Sequence, residues 1–234
     1  MPGRLPVGLS RRKYAVLLVL LLVVLAIETF GVRSGAERLR SDALRAVLTV
    51  AIWIIVFERP RERAIAAAVL FPSLLISWGR YFTVASLDHA LSLANQVLLT
   101  LFLWNAVWVI LRDLFRAPAA GVENVFGAIC GYLVAGHAWA HANALVYLLL
   151  PSAYSINPEL AVLLPDWHGR LALFTYYAFA QVMTIGYSDV TPVRAPATTL
   201  SLFSALFGVF YTAVIVSQFV GLAQKPKRET PAGE

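Results

Sequence analysis

Two groups of residues in this chain are of types, and at spacings, that could do chemistry. His137 and His141 are four residues apart, so in a helix they share one face. Such a pair can bind a metal, titrate near neutral pH, or hydrogen-bond a neighbouring helix. Ala138 follows His137, so the zinc-protease pattern His-Glu-x-x-His is absent. A metal-dependent membrane enzyme would need further ligands, for which Asp166 and His168 are the candidates. Otherwise those two residues read as part of a solvated turret, where Glu159, Asp166 and Asp189 would raise the local cation concentration. Cys130 is the lone cysteine, so neither a disulfide nor a cysteine metal site can form within the chain.

The second group is Thr184-Ile185-Gly186-Tyr187-Ser188-Asp189. It follows an apolar run over 171–183, about 20 Å long as a helix. That length enters a bilayer without crossing it. Non-helical backbone at membrane depth survives only when surrounded by protein or water. A half-length helix followed by a short extended piece therefore predicts a re-entrant loop.

The elements that must position these residues are membrane helices. The chain has 234 residues, 59% of them hydrophobic and only 14% charged, against about 25% charged in an ordinary soluble domain. Six apolar segments stand out, at 14–30, 43–57, 64–78, 91–111, 125–150 and 198–222. The first is read as an uncleaved helix, not a signal sequence. Glu58 to Arg63 joins the second and third, either as a tight hairpin of thin spans or between helices that extend past the hydrocarbon. With the N-terminus inside, 12 Lys and Arg fall on the cytoplasmic side and 7 outside, which favours cytoplasmic termini. Arg33, Arg38, Arg40 and Arg45 in the first outer loop weigh against it. The net charge of +6 fits this bias, and no basic run with interleaved aromatics points to nucleic acid.

Thr184 to Asp189, with its preceding half-helix and with Pro192 beyond, resembles the potassium-channel filter signature Thr-Val-Gly-Tyr-Gly-Asp. The resemblance covers roughly 125–222: outer helix, pore helix, filter and inner helix. It implies an all-α membrane protein of six transmembrane helices with a re-entrant pore helix and filter loop between the fifth and sixth. It also implies a homotetramer in the lipid bilayer, with potassium as permeant ligand and no other cofactor. The ion-coordinating groups would be the Thr184 hydroxyl and the carbonyls of Thr184, Ile185, Gly186 and Tyr187. Gly186 would supply the backbone freedom this needs.

Three departures bear on selectivity. Ser188 stands where the family has its second glycine, and a left-handed angle there would cost about 1–2 kcal/mol. Met183 replaces a hydroxyl residue, and Ala180 leaves no acid behind the filter. Filter support is therefore expected from Ser188, Asp189 and a Tyr177–Asp189 hydrogen bond. Gly208, 22 residues after Gly186, matches the family's gating glycine, although a glycine also serves close helix packing. Helical spacing then turns Val209, Thr212, Val216 and Val220 towards the pore.

The expected division is a four-helix module at 1–117, a pore module at 118–224 and a cytoplasmic tail at 225–234. A voltage sensor needs Arg at three-residue spacing. The fourth segment instead carries Asn95, Gln96 and Asn105, suited to interhelical hydrogen bonds. The reading is a passive, potassium-preferring cation channel in a cell inner membrane. A weakly selective channel, a non-conducting membrane subunit and the metal-dependent enzyme are the alternatives.

Overall fold

The computed structural model describes residues 13–29, 35–82, 85–116 and 122–223. Arg33, the 117/118 module boundary and the 225–234 tail lie outside the described residues. Among the described residues, six long helices run in chain order as α1 (Lys13–Thr29), α2 (Gly35–Val56), α3 (Pro60–Gly79), α4 (Ala85–Phe115), α5 (Val122–Leu149) and α8 (Ala195–Ala223). Between α5 and α8 lie β1 (Tyr154–Ile156), the single turn α6 (Pro158–Ala161), α7 (Trp167–Val182) and β2 (Val190–Pro192). The described chain is predominantly helical and fits an all-α membrane protein.

Among the described residues, Pro60–Gly79, His89–Phe115 and Ala195–Gln218 are long and apolar enough to cross a membrane, and the apolar part of α1 is shorter. The other two long helices fall outside that set because of their polar content. Glu37, Arg38, Arg40, Asp42 and Arg45 occupy the first half of α2, and His137, His141 and Asn143 interrupt α5. The latter three are all buried, so they face protein.

Pro60 opens α3 at the first helical position, where its missing N–H costs nothing, and Glu62 in the same turn complements the helix dipole. The charged connection therefore joins two helices of 22 and 20 residues, not a pair of thin spans. The first outer loop expected at 33–42 is instead helical from Gly35 onward.

One apolar core runs through α1 to α5 and reaches Phe179 of α7. Helix α5 is buried on nearly every side from Gly127 to Leu148, as a central helix must be when neighbours surround it. Helix α4 packs most extensively against it. At one end of the bundle Lys13 Nζ reaches Glu58 Oε1 at 2.5 Å, and Arg112 forms an ion pair with Glu62.

The segment between α5 and α8 includes a small two-stranded sheet. Strands β1 and β2 pair antiparallel with Tyr154 opposite Pro192, Ser155 opposite Thr191 and Ile156 opposite Val190. The inward residues Tyr154 and Val190 are buried. Asn157 N–H donating to Asp189 O at 2.8 Å and Val193 N–H donating to Ala153 O at 2.8 Å extend the ladder at both ends. This small sheet ties the chain entering α7 to the chain that follows residues 183–189.

Candidate functional site

Asp166 starts α7 by accepting a hydrogen bond from Gly169 N–H at 3.2 Å, the usual way a side-chain oxygen satisfies a free helix donor. The helix is then buried along most of its length, including Leu171, Phe174, Tyr177, Ala178 and Val182. Past Val182 the chain stops being helical. Thr184 N–H donates to Gln181 O at 2.9 Å, while the N–H groups of Ile185 and Gly186 both reach Ala180 O, at 2.8 and 3.2 Å.

The backbone alternates in hand at this point. Thr184 has φ 57° and Gly186 has φ 68°, whereas Ile185, Tyr187 and Ser188 keep negative φ. Residues of alternating hand turn successive N–H groups to one side of the chain and successive carbonyls to the other. A strand would instead alternate them. Positive φ is natural for Gly186. For the β-branched Thr184 it is a true outlier, costing about 1–2 kcal/mol. Ser188 bears no such cost, because its φ is negative. Met183, Ile185 and Tyr187 are 45%, 51% and 52% exposed in this single chain, directly after a buried helix.

Side chains brace this turn from behind. Tyr176 Oη donates to Asp189 Oδ2 at 2.8 Å, and its ring stacks on Tyr187 with centroids 5.7 Å apart. The expected Tyr177–Asp189 bond is therefore corrected by one residue. Neighbouring residues on a helix point about 100° apart, so Tyr176 faces Tyr187 and Asp189 while Tyr177 faces α8. There Tyr177 Oη meets Ser201 Oγ at 2.5 Å, and Ser201 Oγ donates onward to Ala197 O at 2.8 Å. Tyr132 Oη donates to Val182 O at 3.1 Å.

Gly208 lies against that same carbonyl. A Cβ at position 208 would overlap Val182 O, which is backbone and cannot swing aside. Close approach of α8 to the end of α7 thus requires glycine there, and α8 runs unbroken through it. Val209, Thr212, Val216 and Val220 are all exposed on α8, while Tyr211 and Ile215 are buried against α5. Tyr211 Oη donates to Ala128 O at 2.6 Å.

His137 and His141 are both buried. His141 Nδ1 lies 2.5 Å from Gln96 Oε1 of α4, and Asn95 Nδ2 donates to Ser77 Oγ of α3 at 3.1 Å, so both amides join helices. The His137 ring stands edge-on to Phe179, centroids 5.5 Å apart. Among the described residues no group of three or more His, Cys, Asp or Glu could hold a metal ion.

His168 departs from its expected place in a solvated turret. It is buried, and its Nε2 lies 3.0 Å from Asp42 Oδ1 of α2, with Nδ1 3.7 Å from Asp166. Tyr81 Oη donates to Asp42 Oδ2 at 2.7 Å, and Arg45 lies 3.7 Å from Asp42. Burial opposes ionisation of Asp42, but the hydrogen bonds from His168 and Tyr81 and the charges of His168 and Arg45 outweigh it, holding its carboxyl below the usual range. Sequence reasoning missed this junction, because Asp42 and His168 are 126 residues apart and no periodicity links them.

Residues 164–225 match the ion-channel family, a stretch that contains α7, residues 183–189 and α8. No curated protein and no solved structure matches the chain. The family match points to an ion channel, not an enzyme, and the apolar helices agree with a membrane location.

Proposed function

We propose that the chain is one subunit of a passive, potassium-preferring cation channel. Six helices cross the membrane, both termini are cytoplasmic, and α7 with residues 183–189 forms a re-entrant pore loop. The observation that carries this reading is the alternation of backbone hand from Thr184 to Tyr187, directly after a half-length helix. Backbone of alternating hand favours carbonyls of consecutive residues on one side, which is what a path for a dehydrated cation requires. The Thr184 hydroxyl and the carbonyls of Thr184, Ile185, Gly186 and Tyr187 are the coordinating groups. The dipole of α7 points its negative end at the same place.

One loop per chain cannot enclose an axis, so four copies are needed. The exposed Ile185 and Tyr187 and the open face of α8 at Val209, Thr212, Val216 and Val220 are the surfaces those copies would share. No Lys or Arg precedes Arg112 within α4, so steep voltage gating is not expected.

The test is potassium against sodium flux through purified protein in liposomes, with Gly186→Ala as the control. Potassium flux well above sodium flux, lost in the variant, supports the reading. Equal flux for both ions makes the pore weakly selective. Absence of flux from a protein shown to be tetrameric favours a non-conducting subunit.

A further inference from the structure

A cavity of about 220 Å³ lies among α1 to α5 and the start of α7. It is separate from residues 183–189, and the proposed conduction path uses none of its walls. Leu48, Ile52, Leu74, Leu99, Leu103 and Val134 form its body, and Leu171 of α7 completes the wall. The hydroxyls on this wall are turned to the protein. Thr49 Oγ1 donates to Arg45 O at 3.0 Å, Ser73 Oγ donates to Leu70 O at 2.8 Å, and Ser77 Oγ accepts from Asn95 Nδ2 at 3.1 Å.

One end carries ionisable side chains, and these are already engaged. Asp42 receives His168 at 3.0 Å and Tyr81 at 2.7 Å, with Arg45 3.7 Å away. Asp166 accepts Gly169 N–H at 3.2 Å and lies 3.7 Å from His168 Nδ1. His141 meets Gln96, and His137 stands edge-on to Phe179. A ligand ion would meet carboxylates and a guanidinium that have partners, while its own charge would have to leave water. An uncharged apolar molecule carries no such cost, and its burial against the leucines is favourable. Size narrows it further. An engineered apolar cavity of about 150 Å³ stays dry and accepts benzene, so this one holds a ring with a small substituent.

The mouth shows where such a molecule comes from. Trp78 and Tyr81 line the cavity and are 39% and 49% exposed, with ring centroids 6.3 Å apart. Trp78 stands next to the end of a helix long and apolar enough to cross a membrane, and Trp and Tyr at such ends mark the membrane interface.

We infer that this cavity is a binding site for one small, uncharged, ring-sized apolar molecule drawn from the membrane. It would lie between Leu48 of α2 and Leu99 and Leu103 of α4, against Leu171, and so would bridge the N-terminal helices and α7. The inference does not rest on the channel reading.

The probe is para-fluorotoluene, followed by fluorine NMR with the full chain in detergent micelles. The cation para-fluorobenzylammonium and the anion para-fluorobenzoate are its charged counterparts. Micelles take up the probe without saturation, so the expected result is a saturable bound signal at one probe per chain. Both charged counterparts should bind at least about tenfold more weakly. Ala46→Leu from α2 and Leu103→Phe from α4 fill the cavity and leave its polar end intact, and each should abolish the saturable signal. Leu99→Ala enlarges the cavity and should admit fluoronaphthalene, which the wild type excludes, so the size argument stays testable if the filled variants do not fold. Four results would overturn the proposal: no saturable binding in wild type, equal binding of a charged counterpart, an undiminished signal in the filled variants, or no new binding in Leu99→Ala. Displacement of the probe by added phospholipid would also overturn it, by giving the cavity to an acyl chain. No ion flow is read, so failure of the channel reading leaves these results standing.

Discussion

At its first turn α7 is held by side chains from another part of the fold. Asp166 caps it, and His168 is bound to Asp42, itself held by Tyr81 and Arg45. At its last turn backbone contacts share the work with tyrosine hydroxyls, Tyr132 Oη on Val182 O and Tyr176 Oη on Asp189. Ala180 O takes two N–H groups, Gly208 admits α8 against Val182 O, and the residues beyond are exposed and partly strained. One end is closed by side chains of the same chain, and the other carries exposed residues that the proposed tetramer would cover. Strain of this kind persists where the surroundings over-determine the backbone. The difference teaches that support and chemistry have been separated along one short helix.

The largest effect should come from removing the close approach at the filter end. Gly208→Leu places side-chain atoms where Val182 O now lies, and overpacking against backbone is expected to cost about 3 kcal/mol. Even Gly208→Ala should destabilise, since its Cβ alone overlaps the carbonyl. Thermal unfolding in detergent measures both. A neutral outcome would show that α8 can back away from α7, and the filter end would then be the looser of the two in a stronger sense than argued above.

The other end should respond next. Asp42→Asn replaces charge-assisted hydrogen bonds with neutral ones, and the loss is expected to be about 2 kcal/mol at pH 7. Because the folded carboxyl titrates below its usual range, its stabilisation is full above the unfolded value, near about 4. It is lost as pH falls through the lower folded value. Wild type should therefore lose stability on acidification below about pH 4, and Asp42→Asn should lose less. Parallel acid curves for the two proteins would remove Asp42 from the account of how α7 is anchored.

The end of α7 and the irregular backbone after it were legible in the sequence because a half-length apolar run followed by Thr-Ile-Gly-Tyr fits neither a longer helix nor a lipid-facing loop. Gly186 was legible at positive φ for the reason any glycine is. Thr184 was not, since a β-branched residue is where a positive φ is least expected. The supporting tyrosine came out one residue away, because the chain between α7 and Asp189 is irregular and no period fixes its path. The start of α2 was read as loop because charges do not belong in lipid, yet Glu and Arg are good helix formers and the helix begins at Gly35. His168 was hidden by sequence distance alone.

The two adjacent tyrosines separate stability from filter geometry. Tyr177→Phe deletes a buried hydrogen bond to Ser201 and should cost about 1 kcal/mol, with ion preference unchanged. Tyr176→Phe keeps the ring stacked on Tyr187 and loses a part-exposed bond, so about 0.5 kcal/mol is expected. It releases Asp189, however, and should reduce potassium preference in the liposome assay. If Tyr177→Phe alone altered selectivity, the brace behind the filter would have to be reassigned to α8.

The smallest expected change is the most direct reading of the alternating backbone. Thr184→Gly removes a left-handed penalty of about 1–2 kcal/mol and adds a glycine entropy cost of about 0.5–1 kcal/mol. The net should be a gain of about 0.5 kcal/mol. Ile185→Gly, one residue on at negative φ, relieves nothing and should lose about 0.5–1 kcal/mol. Neighbouring substitutions to the same residue are thus expected to differ in sign, and denaturant unfolding of the two variants side by side reads that sign. Losses at both positions would mean that Thr184 is not strained in solution, and with the alternation gone the carbonyls would no longer share one side of the chain. A gain at Thr184 combined with reduced potassium flux would tie the strain to the hydroxyl and carbonyl geometry that the proposed conduction path needs.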